Sequence, residues 1–133
     1  MKGNAFFRLI RVFLKLDFPT TQTTQAERDA IVKYLTDAST AIEIGVYEAV
    51  NTILIAKNIQ KKGIIYGIDP FFKGRLGICY YKYIAILGIM RNKIGNKITL
   101  IEKLSLDAVN DVPKKVDFIF IDGLHSYEGL KCD

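Results

Sequence analysis

The sequence predicts an α/β fold, a doubly wound parallel sheet with helices at its amino-terminal end. Short apolar runs at 41–44, 64–68, 98–101 and 116–121 alternate with longer stretches of helical pattern. The central runs are almost unbroken in apolar residues, as strands covered on both faces are. The connections between them suit crossover helices rather than hairpins.

The elements follow in order. Residues 5–16 set Arg8, Arg11 and Lys15 at spacings of three and four among apolar residues, which gathers the charges on one side of a helix. Such a helix either docks on its own domain or meets a membrane surface or partner. Pro19 and the polar residues 20–24 interrupt it, so residues 1–23 form a helix and linker ahead of a domain at 24–133. Thr24 and Glu27 have the spacing of a capping box, with Ala30, Ile31, Tyr34 and Leu35 as the buried stripe behind them. The first strand ends at Gly45 and is followed by a helix at 50–58. Lys61, Lys62 and Gly63 turn into the second strand, which ends at Asp69 and Pro70. A tyrosine- and isoleucine-rich helix is expected from about Gly77 to Lys93. After the third strand a short helix starts near Leu106 and stops by Pro113, and the fourth strand runs 116–121.

Composition narrows the function. A chain of 133 residues, half hydrophobic and a quarter charged, fits one globular domain. No uncharged apolar run reaches the ~18 residues of a membrane span, and Arg8, Arg11 and Lys15 break the best candidate and argue against a secretory signal. Cys79 and Cys132 fit neither a metal-ligand spacing nor a disulfide framework, so a reducing, cytoplasmic setting is expected. The net charge of +5 comes from scattered lysines. No basic and aromatic stripe marks a nucleic-acid face, and no nucleic-acid partner is expected.

In an open parallel sheet, ligands sit at the carboxyl ends of the strands. The informative residues are therefore Glu43 and Gly45, Asp69, Ser105, and 122–127. Gly45 lets backbone approach a ligand closely. Asp69, 24 residues later, can accept both hydroxyls of a ribose, near the ~20-residue spacing of dinucleotide folds. A plainer role for Asp69 is to start a turn before Pro70. The G-x-G-x-x-G fingerprint is absent, since Tyr47 and Val50 occupy its second and third glycine positions, and there is no P-loop lysine motif. NAD and ATP are disfavoured, and a nucleoside without a phosphate chain is favoured.

Residues 41–52 read A-I-E-I-G-V-Y-E-A-V-N-T, 65–70 read I-Y-G-I-D-P, and 116–129 read V-D-F-I-F-I-D-G-L-H-S-Y-E-G. In this order and at these strand ends, they resemble three motifs of class I S-adenosylmethionine-dependent methyltransferases, narrowly the small-molecule O-methyltransferase-like group. The resemblance implies a Rossmann-like sheet of seven strands, of which this chain supplies four in the order 3-2-1-4, truncated at the carboxyl terminus. It implies S-adenosylmethionine as cofactor and a small-molecule or sugar hydroxyl as acceptor. Glu43 and Gly45 would border the methionine end, with Tyr47 in the first turn. Asp69 would bind the ribose, Ser105 would lie near the adenine, and Asp122 beside the sulfonium and acceptor. His125, the only histidine, would be a general base or metal ligand, or a structural loop residue.

Two residues depart from the motifs. Ala49 stands in place of a glycine, narrowing the cofactor's room by one methyl. Leu124 stands in place of an aspartate, which leaves a divalent metal unsupported. These departures keep open a second function, a non-catalytic remnant that binds cofactor or a partner without turnover. A nucleotide-dependent oxidoreductase is a third reading, disfavoured by the missing glycines. Tyr80, Tyr81 and Tyr83 read as helix packing rather than a substrate clamp. Self-association is expected at the apolar edge of the fourth strand or at the first helix.

Overall fold

Four parallel strands, β1 (Thr40–Ile44), β2 (Ile64–Ile68), β3 (Ile98–Ile101) and β4 (Phe118–Ile121), form one sheet in the order β3-β2-β1-β4. The computed structural model describes residues 5–74 and 76–123. The helices are α1 (Ala5–Phe13), α2 (Gln25–Tyr34), α3 (Val50–Asn58), α4 (Tyr80–Asn92) and α5 (Ser105–Ala108), with a 3₁₀ turn at Gly95–Lys97. This is the Rossmann-like arrangement and strand order expected from the sequence.

Strand registers show why the apolar runs are continuous. Ala41 and Glu43 face the same side as their partners Ile65 and Gly67. On that side α2 and α3 contribute Ile31, Leu35, Ile55, Ala56 and Ile59 to a buried cluster. A second cluster joins Val46, Ala49, Phe71 and Cys79 to Ala85 and Ile89 of α4. On the other side Ile42, Ile68 and Ile101 pack with Ala108 of α5. Each fully buried Val, Leu, Ile or Phe side chain among them contributes about 1.5–3 kcal/mol. β4 lies at the sheet edge, with Ile119 and Ile121 exposed.

Several boundaries differ from expectation for local reasons. α1 stops at Phe13 because Lys15 takes a left-handed φ of 60° and ends the helical run. It lies against α4, where Arg91 donates to the carbonyls of Val12 and Phe13 at 2.7 and 2.6 Å, and Phe6 meets Tyr80 edge-on. α4 starts at Tyr80 rather than Gly77, because Gly77 has a φ of 69°, outside the right-handed helical region. α5 ends well before Pro113. β4 begins at Phe118, after Asp117 accepts bonds from the Ser39 amide and hydroxyl and the Thr40 amide. Those bonds hold the Asp117 carboxyl below its ordinary range.

The capping box of α2 forms. The Thr24 hydroxyl accepts from the Glu27 amide at 3.3 Å, and the Glu27 carboxylate accepts from the Thr24 amide at 2.6 Å. Ile31 and Leu35 are buried as expected, but Tyr34 of the same stripe is exposed. Among the described residues, no helix is long and apolar enough to cross a membrane.

Candidate cofactor site

The turn from β1 into α3 has an unusual backbone. Gly45, Tyr47 and Ala49 all have left-handed φ values, of 93°, 50° and 62°. For the two non-glycine residues this costs about 1–2 kcal/mol each, so something must hold them. Asp69, at the end of β2, holds Tyr47: its Oδ2 accepts from the amides of Val46 and Tyr47 at 3.0 and 2.9 Å, while the Ala49 amide donates to the Val46 carbonyl. Its Oδ1 accepts from the Phe71 amide at 2.7 Å. A carboxylate offers about four acceptor sites, so one remains at Oδ1.

Gly45 is forced by its neighbour as well as by its φ. A Cβ there would stand 2.3 Å from the carbonyl oxygen of Asp122. The β1–α3 turn and the end of β4 therefore meet backbone to backbone. Gly67 plays a related part in β2, where an added Cβ would stand 2.8 Å from the Val46 side chain.

Glu43 is wholly buried behind this turn. The Thr52 hydroxyl of α3 donates to its Oε2, and its Oε1 has no partner among the described residues. Burial pushes the carboxyl up to about 8, opposed by the Thr52 bond and reinforced by Asp122 and Asp69. Glu43 is therefore largely neutral at pH 7 and sits behind the cavity rather than in its wall. With the folded value above the unfolded one, the folded state holds an extra proton between about pH 4.5 and 8. Across that window stability falls as pH rises, by up to ~1.4 kcal/mol per unit. Glu43→Gln is expected to gain stability relative to the unaltered chain from pH 5 to pH 8, and parallel urea midpoints across that range would contradict it.

The strand ends enclose a cavity of about 320 Å³, within the range of small-molecule sites. Gly45, Tyr47, Asp69, Ser105 and Asp122 all line it, so five of the six residues placed at the cofactor come together. Ser105 opens α5 after Leu104 rather than ending β3. His125, Leu124 and Cys132 lie outside the described residues. Ala49 is not among the residues lining the cavity; it is buried in the cluster that includes Val46, Phe71 and Ala85. Tyr81 packs on Tyr47 and Phe71, with ring centroids 5.4 and 5.9 Å apart, while Tyr83 is exposed.

Sequence reasoning missed Thr20, Thr21, Gln22, Asn51, Phe72 and Leu104, which also line the cavity. The polar run 20–24 was visible, but only as a linker. The cavity wall contains two carboxylates and, among the described residues, no lysine or arginine. Apolar Ile68, Pro70, Phe72 and Leu104 lie at its β2 and β3 side. No group of three or more His, Cys, Asp or Glu side chains that could hold a metal ion is gathered among the described residues.

The chain thus combines a Rossmann-like sheet with an acidic cavity at its strand ends. A methyltransferase-domain family matches residues 42–133, more than half of the chain, and the chain belongs to that family. No curated protein matches it in sequence. Among solved structures, the Bacillus cereus O-methyltransferase in complex with SAH is 19% identical with a TM-score of 0.64, covering 92% of this chain and 56% of that one. The Streptomyces achromogenes O-methyltransferase involved in tomaymycin synthesis, in complex with SAM, is 16% identical with a TM-score of 0.60, over 92% and 54%. The SAH-bound Podospora anserina methyltransferase is 14% identical with a TM-score of 0.66, over 98% and 55%. The chain thus spans little more than half the length of these structures.

Proposed function

We propose that this chain binds S-adenosylmethionine in the strand-end cavity and supplies the cofactor half of a methyl transfer to a small-molecule hydroxyl. The observation that carries this is the wall chemistry: Asp69 and Asp122 with no cationic side chain among the described residues. Such a wall suits a sulfonium and repels a pyrophosphate. Family membership supports the reaction class.

When bound, the cofactor supplies an electrophilic methyl carbon open to in-line displacement. The chain's residues orient it, and orientation is where most of the acceleration comes from in such a displacement. The β1–α3 turn receives the amino-acid end at Gly45 and Tyr47. The remaining site on Asp69 Oδ1 accepts one ribose hydroxyl. Apolar Ile68, Pro70, Phe72 and Leu104 enclose the base, with Ser105 at its edge. Asp122 faces the positive sulfur and orients the acceptor, and His125, three residues on, takes the acceptor's proton.

Calorimetric titration with S-adenosylhomocysteine, with NADH as control, tests the assignment. Binding of the former alone is expected, and binding of NADH alone would sink it. Asp122→Asn separates charge from shape. It should weaken the cationic S-adenosylmethionine by about tenfold and the neutral homocysteine analogue by less than about threefold. Equal losses for the two ligands would remove Asp122 from the sulfonium.

A further inference from the structure

The chain between α1 and α2 is tied to the cavity by an ion pair whose carboxylate is buried and whose guanidinium is half-buried. Glu48, in the β1–α3 turn, is 1% exposed, yet it carries a carboxylate. Arg8 of α1 binds it with both faces of its fork, Nε to Oε1 at 2.9 Å and Nη2 to Oε2 at 2.6 Å. The same Oε2 accepts from the Thr20 amide at 2.6 Å and the Thr20 hydroxyl at 3.1 Å. Arg8 also donates to the Phe18 carbonyl, the Thr20 hydroxyl and Asp17. Farther along, the Thr23 hydroxyl donates to Asn51 Oδ1 at 3.0 Å, and Asn51 Nδ2 donates to the Thr21 hydroxyl at 3.3 Å. Thr20, Thr21, Gln22 and Asn51 are all cavity residues.

As a mere tether for α1 this arrangement is poorly chosen. Taking the Glu48 carboxylate out of water offsets much of what its pairing gains, and α1 already has Arg91 and an apolar seat on α4. What a bidentate guanidinium adds is direction. Here it fixes where the Thr20 backbone stands relative to the turn that follows Gly45.

We infer that Arg8 and Glu48 are positioning residues for cofactor binding: they hold Thr20–Gln22 as the cavity wall beside the β1–α3 turn, so the N-terminal segment is part of the site. This rests on the cofactor assignment above. The strap meets the end of the cavity that receives the amino-acid part of the ligand. Its hydroxyls and the Gln22 carboxamide offer neutral donors and acceptors to an ammonium and a carboxylate.

The test is calorimetric affinity for S-adenosylhomocysteine in three variants, with thermal midpoints measured alongside. Arg8→Ala is expected to weaken binding by about tenfold or more, and Thr23→Val, which removes the hydroxyl's bonds to Asn51 and Thr21 without changing shape, by about threefold. Arg91→Ala loosens the other end of α1 without touching the strap. It should lower the thermal midpoint while leaving affinity within about twofold. If Arg8→Ala does not fold, Thr23→Val decides. Unchanged affinity in Arg8→Ala or, failing that, in Thr23→Val, overturns the inference, as does an equal loss in Arg91→Ala. Failure of the unaltered chain to bind at all overturns the cofactor assignment itself, and the inference with it.

Discussion

Gly45→Ala should destabilise the chain by about 3–5 kcal/mol, the largest effect of any single methyl added to the sheet. Two independent penalties meet at this position. The φ of 93° lies where an L side chain is strained, costing about 1–2 kcal/mol. The new Cβ would also stand 2.3 and 2.7 Å from the carbonyl oxygen and carbon of Asp122 and 3.0 Å from the Gly123 nitrogen. These are backbone atoms, so no rotamer change relieves the clash. Relief requires the end of β4 to draw away from β1, opening the pairing of Ile44 with Ile121 and the bond from the Asp122 amide to the Ile44 carbonyl.

Two other glycines separate the penalties. Gly77 has a φ of 69° but nothing within 4 Å of an added Cβ, so Gly77→Ala should cost only the strain, about 1 kcal/mol. Gly67 has ordinary backbone, and its nearest would-be neighbours are the side chains of Val46 at 2.8 Å and Leu100 at 3.2 Å. Side chains can give way, so Gly67→Ala should cost about 1–3 kcal/mol. Urea midpoints for the three variants should therefore fall in the order Gly77, Gly67, Gly45, with Gly45→Ala the least stable. A Gly45→Ala chain as stable as Gly77→Ala would show that β4 does not sit against this turn.

The sheet was legible because its signals are local. Four apolar runs, a capping box at Thr24 and Glu27, and turns at Gly63 and Asp69 each depend on residues close in sequence. The helix ends were less legible, because what stops α1 at Phe13 and delays α4 to Tyr80 is backbone conformation at Lys15 and Gly77, which composition does not encode. At the site, position after a strand pointed to Gly45, Asp69, Ser105 and Asp122, the family resemblance added Tyr47, and all five meet at one cavity. Position did not distinguish facing the cavity from lying behind it. Glu43 and Ala49 sit among the same motif residues, yet strand alternation and a left-handed turn send one into the core behind the turn and the other into the α4 cluster. The Arg8–Glu48 pair joins residues 40 apart in the chain. No periodicity links them, and an arginine on an amphipathic helix reads first as a solvated face.

Asp69→Ala should cost about 3–6 kcal/mol and remove measurable affinity for S-adenosylhomocysteine. The carboxylate satisfies three backbone amides, those of Val46, Tyr47 and Phe71. Alanine leaves all three without that acceptor, at about 1–3 kcal/mol for each of the buried Val46 and Phe71 amides and less for the part-buried Tyr47 amide. Tyr47 would also lose what holds its φ at 50°. Lost binding in this variant therefore cannot by itself establish a ribose contact, because the turn that receives the ligand would relax as well. Asp69→Asn separates the two. Its carbonyl can still accept from Val46 and Tyr47, while its amide group meets the Phe71 N–H donor to donor, so about half of the stability loss should return. Ligand chemistry then isolates the ribose. With one site left on Oδ1, deleting a single ribose hydroxyl from the ligand should cost the unaltered chain about tenfold in affinity. The same deletion should cost Asp69→Asn distinctly less, because the charged acceptor is gone. If the deletion costs both chains equally, Asp69 acts on the cofactor only through the turn it braces.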